Sequence, residues 1–307
     1  MKTESKLEKV LASGNLAVTS ECGPPRGALP DKVREKAEML RGYVDAVNVT
    51  DNQTAMVRMS SFAACVIIKQ MGLDPILQMV TRDRNRLAMQ ADILGATALG
   101  IKNMLCLSGD HQKFGDHPNA KGVFDIDSIQ LIGMVKKMRD EGKFLGGAEL
   151  DGSPKMFIGA AANPFADPFE WRVHRLAKKI SAGVDFIQTQ CIYNMDKFRK
   201  WVQQANDMGL TENVYILAGV TPMKSVGMAK YMKAKVPGMD VPDEVIKRLQ
   251  GAEKGKVAAE GIKMACEQIE EFKELKGVHG VHLMAIEWEH KVPEIAEQAK
   301  VLPRPEV

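Results

Sequence analysis

Short apolar runs rich in β-branched residues alternate along this chain with loops marked by Gly, Pro or polar residues and then with segments of helical period, and the cycle recurs eight times. A strand always followed by a helix returns in the same direction, so the alternation predicts a parallel sheet. The runs are Leu16–Glu21, Ala46–Thr50, Pro75–Val80, Asn103–Leu107, Met156–Ala161, Phe186–Thr189, Val214–Ala218 and Val281–Ile286. Eight such units close naturally into an α/β fold of the (β/α)8 TIM barrel type, expected here as a single domain over residues 1–307. Between the runs lie helical patterns such as Arg86–Leu94, with Leu87, Ala91 and Leu94 on one face, and Trp171–Ile180, with Val173, Leu176, Ala177 and Ile180 likewise. Gly42, Gly72, Gly100, Gly183 and Gly209 stand where helices end before the next strand, the position that asks for a left-handed residue. The long stretch Val236–Gly280 reads as two helices before the last strand. A short N-terminal helix within about residues 1–13 is expected to close the barrel floor, and a C-terminal helix is expected at about 293–300.

Charge excludes some functions. Lys and Arg total 42 against 39 Asp and Glu, and a net charge of +3 supplies no basic field for nucleic acid. The five cysteines (Cys22, Cys65, Cys106, Cys191 and Cys266) lie far apart, with no Cys-x-x-Cys pair, and read as reduced thiols of a cytosolic protein. Met1–Leu11 mixes Lys and Glu with Leu and Val, unlike a secretory leader. No apolar run approaches the roughly 20 residues of a membrane helix, so a soluble, cytoplasmic protein without membrane insertion is expected. The 19 methionines read as flexible core filling.

In a (β/α)8 barrel the active site forms at the carboxyl ends of the strands, so the polar residues there are the candidates. Glu21 ends the first run and Thr50 the second, and Gln78 lies near the end of the third, with Thr81 just beyond. Ser108, Gly109 and Asp110 follow the fourth, Asn163 the fifth and Gln190 the sixth, and Thr221 lies shortly after the seventh. Together they offer two carboxylates and a ring of amides and hydroxyls, a set able to hold a polar heterocycle and to move a proton. Zinc would require His or Cys clusters at these positions, and no metal is expected. The six histidines show no ligand spacing and read as surface or loop residues. The run Arg82-Asp83-Arg84-Asn85-Arg86 reads as a helix cap followed by a solvated face.

These residues also carry a resemblance. Ser20-Glu21-Cys22-Gly23-Pro24-Pro25, Thr81-Arg82-Asp83-Arg84-Asn85 and Leu107-Ser108-Gly109-Asp110 resemble the methylenetetrahydrofolate reductase family, in the right order over roughly Leu16 to Ile286. Gly115-Asp116-His117-Pro118, Ala162-Asn163-Pro164 and Thr189-Gln190-Cys191-Ile192-Tyr193 are similar to the branch also found fused to homocysteine methyltransferases and in anaerobic bacteria. The resemblance implies FMN-dependent reduction of 5,10-methylenetetrahydrofolate to 5-methyltetrahydrofolate by hydride transfer from flavin N5. It implies that Glu21 is the general acid, protonating N10 so that the five-membered ring opens. It places Asp110 near both flavin and pterin, with Gly109 allowing close backbone approach, and Gln190 on the pterin. Thr50, Gln78, Ser108 and Asn163 become flavin contacts, and Arg175, Lys178 and Lys179 face the flavin phosphate. Read locally, Gly109-Asp110 is also ordinary turn chemistry and Arg175–Lys179 also a solvated helix face.

Three departures stand out. Gln78 replaces a histidine of some relatives, Val226 replaces an aromatic that stacks on substrate, and Glu287-Trp288 stands where some members have Asn-Arg. Trp288 becomes a candidate to stack on the p-aminobenzoate. No Gly-x-Gly-x-x-Gly follows a strand, but in the family nicotinamide stacks directly on the flavin, so NAD(P)H remains an electron donor. The other donor the resemblance allows is a partner redox protein, such as a small zinc- or iron–sulfur-binding subunit, and an oligomer is expected. A non-catalytic or partner-dependent flavoprotein subunit of a larger electron-transfer complex is the alternative. A zinc-dependent homocysteine methyltransferase ranks last, for want of clustered cysteines.

Overall fold

A pleated strand sends alternate side chains to opposite faces, and in a closed barrel one face meets the helices while the other fills the interior. The computed structural model, which describes every residue except Pro237, has this arrangement. The strands are β1 (Ala17–Cys22), β2 (Ala46–Val49), β3 (Pro75–Val80), β4 (Asn103–Leu107), β5 (Phe157–Ala162), β6 (Phe186–Cys191), β7 (Tyr215–Val220) and β8 (Gly280–Leu283). Each pairs in parallel with the next, and β8 pairs with β1 to close the barrel. The helices are α1 (Lys6–Ala12), α2 (Pro30–Leu40), α3 (Ser61–Gln70), α4 (Arg86–Ala98), α5 (Ser128–Glu141) and α6 (Arg172–Ala182). They continue with α7 (Met195–Asp207), α8 (Val226–Lys235), α9 (Asp243–Gln250), α10 (Val257–Glu274) and α11 (Val292–Gln298). The long segment before β8 therefore holds the two helices expected after α8, although Pro237 itself lies outside the described residues.

Outward-facing residues such as Val47, Leu77, Met104, Ile158, Ile187, Ile216 and Val281 pack with the helices into one continuous core. Met79, Met89, Met104, Met134 and Met138 belong to this layer, and all five cysteines are free and buried. Inside, the lower end of the barrel has its own apolar cluster: Ala17, Ala46, Ile76, Leu105, Phe157, Phe186 and Leu217. Leu7, Val10 and Leu11 of α1 plug it from below, as expected of the N-terminal helix. The Phe157 and Phe186 rings stack with centroids 5.2 Å apart. Gly159 makes room for them, since a Cβ there would sit 2.2 Å from the Phe186 ring. Each glycine expected at a helix end has positive φ, from 66° at Gly209 to 108° at Gly183, the left-handed conformation that the sequence predicts there.

Two expectations fail. The buried face of α4 is Met89, Gln90, Ile93 and Ala96, whereas Leu87 is 74% exposed and Ala91 also faces solvent. Apolar residues occur all round this helix. Gln90 turns inward because its amide donates to the Arg86 carbonyl (2.9 Å) and accepts from Leu145 N–H (2.8 Å). β8 ends at Leu283 rather than Ile286, and the chain then turns through Glu287 with a left-handed φ of 50°. Among the described residues, no helix is long and apolar enough to cross a membrane.

Candidate active site

Above the apolar floor, the inward-facing strand positions become polar. Thr19, Asn48, Gln78, Gln188 and His282 are all buried and project into the barrel. Asn48, Gln78, Gln188 and His282, with residues nearer the strand ends, enclose a cavity of about 330 Å3, within the range of small-molecule sites. Buried amides are normally hydrogen-bonded, because leaving one dry and unpaired costs about 1–3 kcal/mol. Here both amide atoms of Asn48, the amide oxygen of Gln188 and the hydroxyl of Thr50 are buried without a partner among the described residues. Such unpaired groups are what a polar ligand would satisfy.

Glu21 stands at the end of β1, paired in register with Asn48 of β2, and its side chain is 15% exposed. Its carboxylate lies 3.8 Å from His282 Nε2, close for electrostatics but beyond a direct hydrogen bond. His282 Nδ1 lies 2.9 Å from the Thr19 hydroxyl, which in turn accepts from the Gln188 amide at 3.3 Å. Thr19 thus ties Gln188 and His282 together inside the barrel, and the other ring nitrogen, Nε2, faces Glu21. The reading of the histidines as surface or loop residues is therefore corrected for His282. It sits between Val281 and Leu283, and the two-residue period turns these outward and His282 into the barrel.

Gln190 also lines the cavity. The register of β6 against β7 shifts between Gln188 and Cys191, and this irregularity brings Gln188, Thr189 and Gln190 all to the cavity wall. Thr189 stabilises the shift, donating to the Gln190 carbonyl (2.9 Å) and accepting from Gly219 N–H (2.8 Å).

The opposite wall comes from the loops after β2, β3 and β4. Arg82, with a side chain 2% exposed, donates to the carbonyls of Asp110 (3.0 Å) and Asn52 (3.2 Å) and to the Asp83 carboxylate (2.7 Å). Arg84 pairs with Asp51 at 2.7 Å, and Asp51 also accepts from Val80 N–H at 3.0 Å. Burial opposes ionisation of Asp83, but hydrogen bonds from Arg82 and Asn52 with the charges of Arg82 and Arg84 hold it below the usual carboxylate range. The solvated reading of this arginine run is thus corrected for Arg82 and Arg84, which tie the loops together. Asn85 does cap α4, accepting from Ala88 N–H at 3.0 Å, and Arg86 is exposed against Asp125. Asp110 reaches the cavity, and its carboxylate accepts from Thr54 N–H at 3.1 Å. Gly109 before it has φ +84°, and a Cβ would crowd Val80 at 3.1 Å.

Of the candidate residues, the fold gathers Glu21, Gln78, Gly109, Asp110 and Gln190 onto one cavity. Thr50, Ser108, Asn163, Arg175, Lys178 and Lys179 are not among its walls. Lys179 is buried, however, and its ammonium donates to the carbonyl of Ala161, which is a wall residue. Burial, with the Arg175 charge adding to it, pushes Lys179 down to about 8. Arg175 and Lys178 are exposed on the same helix, and Asn163 accepts from Phe165 N–H at 2.9 Å. Trp288 packs half-buried against the outer core, with the Lys224 ammonium 5.5 Å from its ring centroid, away from the cavity. Asn48, Gln188 and His282 stand within their strands rather than at the ends where the sequence places its candidates, and the two-residue period that turns them inward is the signal that points to them.

The chain is similar to known proteins in sequence and in fold. The chain is 24% identical to Methylenetetrahydrofolate reductase 2 of Schizosaccharomyces pombe, over 98% of this chain and 48% of that one. It is 22% identical to a Caenorhabditis elegans protein named Probable methylenetetrahydrofolate reductase (NADPH), over 80% of this chain and 36% of that one. The chain thus spans about half or less of the length of these relatives. Among solved structures, a Clostridium thermocellum protein described as binding two copies of 5-methyl-5,6,7,8-tetrahydrofolic acid superposes with a TM-score of 0.64. It is 14% identical, with 96% of this chain and 100% of that one covered, and at that identity the likeness speaks to fold alone. A 2,3-dimethylmalate lyase with a TM-score of 0.54 and 12% identity, covering 100% of this chain and 90% of that one, likewise shares the barrel. The family model described as Methylenetetrahydrofolate reductase matches residues 6–300, nearly the whole sequence, and the chain belongs to that family.

Proposed function

We propose that this chain reduces 5,10-methylenetetrahydrofolate to 5-methyltetrahydrofolate, with FMN as its bound cofactor. The observation that carries the reading is a carboxylate at the end of β1 above a buried ring of amides with unpaired atoms, in a chain of this family. The residues fit a flavin. Asn48 and Gln188 hold buried polar atoms without partners on the cavity wall that Gln78 and Gly109 also line, and Thr50, Ser108 and Asn163 stand just past the ends of β2, β4 and β5. Arg175, Lys178 and Lys179 supply positive charge on the helix after β5, suited to a phosphate dianion.

FMN bound here, once reduced by NAD(P)H or a partner redox protein, would supply the hydride that turns the methylene carbon into a methyl group. Glu21 gives a proton to N10 of the substrate, so that the bond between N10 and the methylene carbon breaks and that carbon becomes electrophilic. His282, held by Thr19, faces the Glu21 carboxyl across 3.8 Å. Asp110 and Gln190, both on the cavity wall, orient the pterin by hydrogen bonds. The apolar floor beneath keeps bulk water from entering by that end.

Purified protein should be yellow, and its absorbance spectrum reports the flavin. Glu21→Gln should lower turnover of methylenetetrahydrofolate by about 10²–10⁴-fold, the usual worth of a general acid, while the flavin spectrum stays unchanged. Full activity in that variant would defeat the mechanism. Turnover driven by NADH or NADPH, against turnover seen only with an artificial dye as donor, separates a self-sufficient reductase from one that draws electrons from a partner protein.

A further inference from the structure

Glu21 lines a second, narrower recess of about 50 Å3 with Gly23, Gln53, Arg58 and Ile286. Arg58 is also a wall of a surface groove of about 700 Å3 between the loops after β1 and β2. The groove is floored by Pro30, Val57, Met59, Ala63 and Ile67. Arg58 is thus the one side chain common to both spaces, and the recess leads from the proposed acid to the groove. Resting on the function proposed above, we propose that this groove takes the p-aminobenzoyl-glutamate tail of the folate, with Arg58 binding a tail carboxylate.

The charge pattern supports an anion at Arg58. Its side chain makes one hydrogen bond, from Nη1 to the Pro24 carbonyl at 3.1 Å, while Nε is buried without a partner among the described residues. The neighbouring cations are already paired: Arg26 with Asp116 at 2.5 Å and Lys36 with Glu289 at 2.9 Å. A half-buried guanidinium with an unused donor gains most from a carboxylate, which its planar fork matches. Lys36, paired with Glu289, borders the recess with Glu21 and Glu287, so Arg58 is its one cation without a carboxylate partner among the described residues. That suits an uncharged aromatic ring in the recess and carboxylates beyond Arg58, in the groove. The substrate has the same sequence of groups: N10, then the benzoyl ring, then glutamate.

The test compares kcat/KM for methylenetetrahydrofolate carrying one glutamate, carrying five, and lacking the tail. In Arg58→Gln the preference for tailed over tail-less substrate should fall by roughly 10- to 100-fold, mainly through KM, and Arg58→Lys should restore part of it. Val57 is 54% exposed, so changes there are tolerated by the fold. Val57→Glu should weaken the five-glutamate substrate several-fold, and Val57→Lys should strengthen it. Unchanged preferences in all these variants would overturn the assignment, as would a KM change confined to NAD(P)H, which would give Arg58 to the nucleotide phosphates. Calorimetric titration with p-aminobenzoyl-pentaglutamate reads the groove without turnover, and Arg58→Gln should bind it at least roughly tenfold more weakly. Equal binding by both proteins would overturn the assignment. Wild-type binding without any folate turnover would defeat the functional reading and leave the groove assignment standing.

Discussion

The same eight strands build two interiors. At the floor, Ala17, Ala46, Ile76, Phe157, Phe186 and Leu217 meet the α1 plug in a dry apolar cluster. Two residues further along several of the same strands, Thr19, Asn48, Gln78 and Gln188 make a polar ring, with His282 of β8 completing it. Strand pleat and period are common to both, so the difference lies in side-chain chemistry alone. The floor satisfies itself and holds the barrel closed, whereas the ring leaves amide atoms of Asn48 and Gln188 unpaired and lowers the stability of the free protein. Stability and binding are thus divided along the barrel axis.

The sharpest way to break this division is Phe186→Ala. Deleting a fully buried ring that stacks on Phe157 should cost about 3–5 kcal/mol in chemical denaturation, while flavin affinity of the folded protein is preserved. A loss of flavin binding under conditions where the variant is folded would mean that floor and ring are not separate.

A smaller effect should come from Lys179, a buried cation near the upper end. Its pKa of about 8 lies below the ordinary lysine value of about 10.4. Between those values the unfolded chain holds a proton that the folded chain has released, so folding is favoured as pH rises through the window. Below about pH 8 the full cost of burying the charge is present. Lys179→Met should therefore stabilise the protein by about 1–2 kcal/mol at neutral pH, after loss of the bond to the Ala161 carbonyl is set against it. The difference from wild type should shrink between about pH 8 and 10. Denaturant midpoints at both pH values check this, and a variant less stable at neutral pH would contradict it.

How much of this was readable beforehand follows from which physical signals are local. The strands β3 and β4 were placed to the residue because Pro, Gly and polar residues bracket them. The apolar run continuing past Leu283 concealed the end of β8, which depends on where its neighbours stop pairing. Glu21, Gln78, Gly109, Asp110 and Gln190 could be found from position near strand ends alone, and they do converge. Arg82 could not, because its burial arises from carbonyls of two other loops that only the closed barrel brings near. Arg58 is similar: nothing in its own segment indicates that two cavities meet at it.

The most direct test of the division is Asn48→Leu, measured for both stability and flavin affinity. Leucine has similar volume and removes two unpaired buried polar atoms. The free protein should gain roughly 1 kcal/mol while FMN binds at least about tenfold more weakly. A variant that loses more than about 1 kcal/mol and binds FMN as wild type does would show that Asn48 serves the fold and that the polar ring is not the flavin site.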